Sequence, residues 1–146
     1  MAERPDRYRN AIAPHIYVQP ASDGITFYER AFGTVELFRV AHPNGKILHA
    51  EISICGSTVM IGDPDDELYR EPRHLGRTTA SLHIFVEENG TLLRRAIEAG
   101  EEQIPPPTDM FYGFVFLCIC WTSQIARPAN WFYNSIATNG TYCTMK

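Results

Sequence analysis

Apolar and polar residues alternate without a break from Leu48 to Cys55. Leu48, Ala50, Ile52 and Ile54 fall on one side of an extended chain, and His49, Glu51, Ser53 and Cys55 on the other. A second alternation, at 12–18, separates Ala13, His15 and Tyr17 from Ile16 and Val18. Between the two the period changes. After the turn "QPASDG", with Ser22 as a candidate cap, Ala21, Ile25, Tyr28 and Phe32 recur at helical spacing, and Gly33 is placed to end the helix. "TVELFRVA" followed by "HPNG" predicts a strand and a hairpin, and Gly56 turns the chain into "STVMIG". The order is therefore strand, helix, strand, strand, strand.

The pattern then restarts. "HIFV" at His83 copies "HIYV" at His15, 68 residues earlier, and the match runs on without a gap: Ile25 falls on Leu93, Tyr28 on Ala96 and Ala31 on Ala99. The second strand divides Ser81, His83 and Phe85 from Leu82, Ile84 and Val86. Asn89 is a candidate cap, Leu93, Ala96, Ile97 and Gly100 carry the inner helix face, and Gly100 marks its end. "EQIPPPTD" reads as a short strand and a stiff turn, and "FYGFVFLCICW" as a long apolar strand. Module one spans 11–62 and module two 80–146. The polar stretch 63–79 connects them and is a candidate wall of the site. A sheet backed by one helix leaves its other face to be covered. Two copies satisfy this as an α+β fold, with paired βαβββ modules forming a curved mixed sheet around a cleft. Ile16, Val18, Leu82, Ile84 and Val86 are then core, and His15, His83, His49 and Glu51 look into the cleft.

Composition narrows the class. The 146 residues make one domain with an ordinary hydrophobic share of 45%, and the formal net charge of −4 argues against a nucleic-acid partner. No apolar run is long enough for a membrane helix, and "MAERPDRYRN" lacks the apolar stretch of a secretory signal, so a cytoplasmic protein is expected. Cys118 and Cys120 form CxC without a second pair at zinc-finger spacing. With Cys55 and Cys143 they are expected to be buried thiols acting as small hydrophobes. His42 and His74 are expected on surface loops.

The stretches "ITFYERAFG", "HPNGKILHAEISICGSTVMIGD", "SLHIFVEENG", "EAG" and "PPPTDMFYG" resemble, in order and spacing, the vicinal oxygen chelate superfamily of glyoxalase I, bleomycin-resistance proteins and ring-cleaving dioxygenases, and within it the PhnB-like branch. The resemblance covers residues 11–113 and implies paired βαβββ units and a homodimer. In metal-dependent members each unit gives a first-strand His or Gln and a later Glu. Those first-strand positions fall here on Ala13 and Ser81, and the later acid of unit one near Met60 to Gly62, where none stands. His15 and His83, two residues on and on the same faces, take the role only with a displaced ion, and Glu51 or Asp63 would replace the acid. From 114 the chain departs from the branch, which continues with an Asp-Arg pair and a DPxGHxW-like last strand. Here no Asp or Glu follows Asp109, and both tryptophans, Trp121 and Trp131, lie in the departing part. Two readings stand side by side: a frame change or alternative exon near Gly113, and true divergence with Trp131 to Tyr133 rebuilding the last strand.

Three functions follow from the resemblance. One is a metal-dependent lyase, isomerase or dioxygenase-type enzyme on a substrate with vicinal oxygens. It would use His15, His83 and Glu51 to hold zinc, nickel, iron or manganese, or Glu51 as a general base with its pKa raised by burial. The second is a metal-free protein that binds or sequesters a small molecule, with His49, Tyr17, Phe85, Phe111 and Tyr112 lining the pocket. The third is a non-catalytic dimer with a degenerate site. The copied histidines fit each, since a repeat copies packing as well as chemistry.

Overall fold

The structure, a computed structural model, describes residues 5–9, 11–65, 67–75, 81–85, 90–99, 101–103, 108–109, 114–121 and 133–139. Strand β1 (His15–Tyr17) leads into helix α1 (Ala21–Phe32) and then β2 (Val35–Ala41), β3 (Ile47–Ile54) and β4 (Ser57–Gly62). After the short helix α2 (Pro72–Leu75) come β5 (Ser81–Phe85), α3 (Gly90–Glu98), β6 (Glu101–Gln103), β7 (Thr108–Asp109), β8 (Phe114–Trp121) and β9 (Tyr133–Asn139). The first sheet is ordered β1-β4-β3-β2 and the second β5-β9-β8-β6, with β7 also on β8. Each unit thus closes by sliding its last strand beside its first, in parallel. The crossover between those two strands carries the helix, as a parallel pair requires.

The two parallel pairs share a register. Ile16 lies opposite Ile61 and Ile84 opposite Ile136, so the segment "YNSIATN" occupies in the second unit the place of "STVMIG" in the first. The compositionally atypical C-terminal part therefore supplies two full strands. The last strand begins at Tyr133, and Trp131 and Phe132 lie outside the described residues, as do Val86, Asn89, Gly100, Phe111, Tyr112 and Cys143.

Helix α1 buries Ala21, Ile25, Tyr28 and Phe32, the face its spacing predicts, and ends at Gly33 in the left-handed region at φ 66°. Ser22 does not cap it. Asp63, just past β4, accepts the Ala21 N–H through Oδ1 at 3.0 Å and the Ile47 N–H through Oδ2 at 2.7 Å. One carboxylate thus fastens the helix start to the start of β3. Gly24 sits so near the sheet that a Cβ there would stand 2.7 Å from Val18 Cγ2 and 3.1 Å from Ile61 Cδ1. Burying side chains such as Ile25, Ile52 and Ile61 contributes about 1.5–3 kcal/mol each, and all three are essentially inaccessible.

Ile84 and Ala96 join the same core, with Leu82, Leu92 and Ala99 packed against it, so the two units share one interior through α1 and α3. Arg95 of α3 donates to the Arg30 carbonyl at 3.2 Å, near the exposed end of α1. Ile97, expected on the inner face, is 43% exposed. Cys55 is also exposed, at the tight β3–β4 turn with φ 48°, and is not the buried thiol its composition suggested. Among the described residues no helix is long and apolar enough to cross a membrane.

Candidate functional site

The sheet face turned away from α1 carries the polar side of each alternation. Register places one row across the whole first sheet: His15 on β1 opposite Met60 on β4, Met60 opposite Glu51 on β3, and Glu51 opposite Phe38 on β2. Two residues further along β1 and β3, Tyr17 stands opposite Gly62, and His49 opposite Val40. His15, Tyr17, His49 and Glu51 therefore share a face, as expected.

Aromatic contacts knit that face. The His15 and Tyr17 rings stack at 4.4 Å, and Tyr17 stacks on Tyr69 at 4.3 Å. His49 meets His15 edge-on at 5.5 Å and Phe38 at 6.2 Å. The Tyr17 hydroxyl lies 3.3 Å from His15 Nδ1, the geometry of a donor to a neutral ring. Tyr69 comes from the connecting segment. It is held there because Asp65 Oδ1 accepts the N–H groups of Glu67, Leu68 and Tyr69. Burial pushes the Tyr17 phenol up to about 12, and the neighbouring Tyr69 adds to this. Burial also lowers the His15 pKa, reinforced by the charge on His49.

Glu51 is only 7% exposed. Arg7 Nη2 donates to its Oε2 at 2.6 Å, and His49 Nε2 lies 3.4 Å from its Oε1. Arg7 belongs to a single 3-10 turn (Asp6–Tyr8), and its guanidinium also lies 4.8 Å over the Tyr8 ring. Burial acts to raise the Glu51 pKa, but Tyr8, Arg7 and His49 outweigh it and hold the carboxyl below its ordinary range. The Tyr8 hydroxyl is buried without a partner at good hydrogen-bond geometry, so it acts on Glu51 as a nearby dipole while Arg7 makes the direct bond. The expectation of a raised pKa fails because the burial is paired.

A cavity of about 640 Å³ opens between β5 and the β3–β4 turn. Arg7, Tyr8, Ile54, Thr58, His83 and Phe85 are among its walls, so Arg7 is common to the cavity and to the Glu51 ion pair. Its size lies in the ordinary range for small-molecule sites, about 300–1,000 Å³. His83 and Phe85 thus reach this cavity, whereas among the described residues His15, Tyr17 and His49 belong to the aromatic row beside it. Arg7, Tyr8 and Tyr69 were not singled out from the sequence. Phe111 and Tyr112 lie outside the described residues. His42 is exposed in the β2–β3 turn, and His74 is exposed but sits on α2, beside Arg70 at 2.6 Å.

An uncharacterised protein of Mycobacterium bovis is 36% identical over 107 residues, 70% of each chain. A Mycobacterium tuberculosis counterpart matches equally, and the chain spans 63% of its length. No family model matches. Among solved structures, TioX from Micromonospora sp. ML1 superposes with a TM-score of 0.63 at 19% identity, over 92% of this chain and all of that one. A glyoxalase/bleomycin resistance protein/dioxygenase family enzyme from Burkholderia phytofirmans gives 0.61 at 15% identity, over 85% and 94%. A PhnB protein from Bacillus cereus gives 0.61 at 12% identity, over 88% and 99%. The chain has the fold of the vicinal oxygen chelate superfamily.

Metal-dependent chemistry needs convergent donors, and among the described residues the candidate donors do not fit an ion. Opposite His15 on the last strand of unit one stands Met60, and opposite His83 on the last strand of unit two stands Ser135. Neither is a carboxylate. Glu51, the one acid on the row, is held by Arg7, and its counterpart by register in unit two, opposite Ser135, is Cys118. Asp63, the other candidate, gives both oxygens to backbone N–H groups. Among the described residues no three His, Cys, Asp or Glu side chains gather at metal-binding range.

Proposed function

We propose that this chain is a metal-independent small-molecule-binding protein of the glyoxalase and bleomycin-resistance type. The observation that carries the reading is the pair Met60 and Ser135, which stand opposite the two repeated histidines where a carboxylate would be needed beside them to hold an ion. What remains on that face is suited to organic ligands. Tyr17, Tyr69, His15 and Phe38 offer flat surfaces, and the adjoining cavity mixes apolar walls with Arg7, Thr58 and His83. General-base catalysis by Glu51 is disfavoured by the same geometry. A carboxylate bonded to a guanidinium and held below its usual pKa is a weak base.

We also infer a homodimer. Strand β2 is a sheet edge whose exposed apolar side chains include Val35 (60%), Leu37 and Val40, and a second copy is the partner we assign to it.

The test is calorimetry with a panel of small phenolic and peptide-like compounds, before and after treatment with a chelator. Binding that survives chelation is the expected result. Binding lost on chelation and restored by a divalent ion would overturn the reading.

A further inference from the structure

Resting on that reading, we propose that Glu51 is an anchoring site for cationic organic ligands, aryl amidines, guanidines or amines, and that Arg7 occupies it as an internal stand-in until a ligand displaces it.

Glu51 is nearly inaccessible, and a carboxylate in that position requires a cation. In the free protein Arg7 supplies it, yet the segment bearing Arg7 is lightly attached. It is one 3-10 turn outside both sheets and has no fully buried residue, only the Tyr8 hydroxyl being tucked in beside Glu51. Its backbone bonds, Tyr8 N–H to Pro5 O and Arg9 N–H to Asp6 O, are internal, and so is the Arg9–Asp6 ion pair. Among the described residues, the hydrogen bond that ties 5–9 to the sheet is Arg7 to Glu51 itself. Segments held by so few contacts open at low free-energy cost.

Opening would join two spaces. Arg7 and Tyr8 line the cavity and Arg7 is paired with the carboxylate, so withdrawal of their turn would open the way from the cavity to Glu51. Any replacement must carry positive charge, since a neutral one would leave the buried carboxylate unpaired. Phe38 opposite Glu51, with His49 and the Tyr17–Tyr69 stack beyond, adds ring faces that favour a cation joined to a flat body. The internal arginine then sets selectivity: only a ligand that outcompetes a tethered guanidinium enters.

The probe is p-aminobenzamidine, and the control is 4-aminobenzamide, its neutral near-isostere. Competition by Arg7 reduces apparent affinity by the fraction of open protein, so Arg7→Ala should bind p-aminobenzamidine about tenfold or more tighter than the unaltered chain. The benzamide should be unchanged, and Glu51→Gln should abolish the preference for the cation. In the unaltered protein, p-aminobenzamidine should speed amide hydrogen exchange at residues 6–9, and 4-aminobenzamide should not, a readout that does not depend on a variant folding. Equal affinity for the two probes, no gain in Arg7→Ala, or unchanged exchange with saturating amidine overturns the ionic anchor. The metal-independent reading then still stands or falls on the chelation experiment alone.

Discussion

Met60 stands directly opposite His15 in the parallel β1–β4 pair, with Glu51 on its other side. A single change therefore tests what the site lacks. Met60→Glu places two carboxylates and an imidazole in one row, a set suited to a divalent ion. Without metal the variant should melt lower than the parent, because like charges adjoin. Added zinc or manganese should raise its melting temperature and leave the parent's unchanged. Equal shifts in both proteins would contradict the account.

The pH response follows from the shifted groups. His15 is pushed below its ordinary 6.5 by burial and by His49, so protonating it is harder in the folded chain than in the unfolded one. Stability is thus present above 6.5 and lost as pH falls through the lower folded value. Glu51, depressed despite burial, acts with the same sign below the ordinary carboxylate range. On the alkaline side Tyr17, raised to about 12, makes stability fall as pH rises from the usual tyrosine range through that value. A proton NMR titration should place His15 below 6.5, and His49→Gln should move it upward. A His15 midpoint at or above 6.5 would refute this.

Asp63 is expected to be structural. Asp63→Ala orphans the Ala21 and Ile47 N–H groups, at roughly 1–3 kcal/mol, and should leave binding of the ligand panel unchanged. Urea unfolding with parallel calorimetry separates the two effects. Lost binding at full stability would return Asp63 to the site.

Gly24→Ala should destabilise the chain although alanine is the better helix former. The added methyl meets Val18 and Ile61, a rigid strand surface, and overpacking of this kind costs about 1–3 kcal/mol. A stabilised variant would mean that α1 sits further from the sheet.

Light scattering across a wide concentration range should give a dimer, and Leu37→Lys on the β2 edge should shift it toward monomer. A monomer throughout would remove the partner assigned to β2.

The sequence carried the fold because burial writes a period. His15 and His83, the α1 face and the β3 alternation from Ala50 to Ile54 appear where one side of an element meets the core, whereas Leu48, expected on that side, is 52% exposed and Ile47 is buried instead. It carried the face of Glu51 but not its state. Arg7 lies 44 residues away in a segment without periodicity, and long-range ion pairs leave no local pattern. Tyr69 was hidden for the same reason, in a connection whose shape depends on Asp65. The last strand was obscured by its polar letters. Only pairing with β5 puts Ile136 in the place of Ile61.

The most direct test of metal independence is elemental analysis of protein purified without a metal column, after equilibration with zinc, manganese, iron or nickel and removal of free ion. The account expects far less than one ion per chain, unchanged in His15→Ala and His83→Ala. A stoichiometric ion that both substitutions release would contradict it.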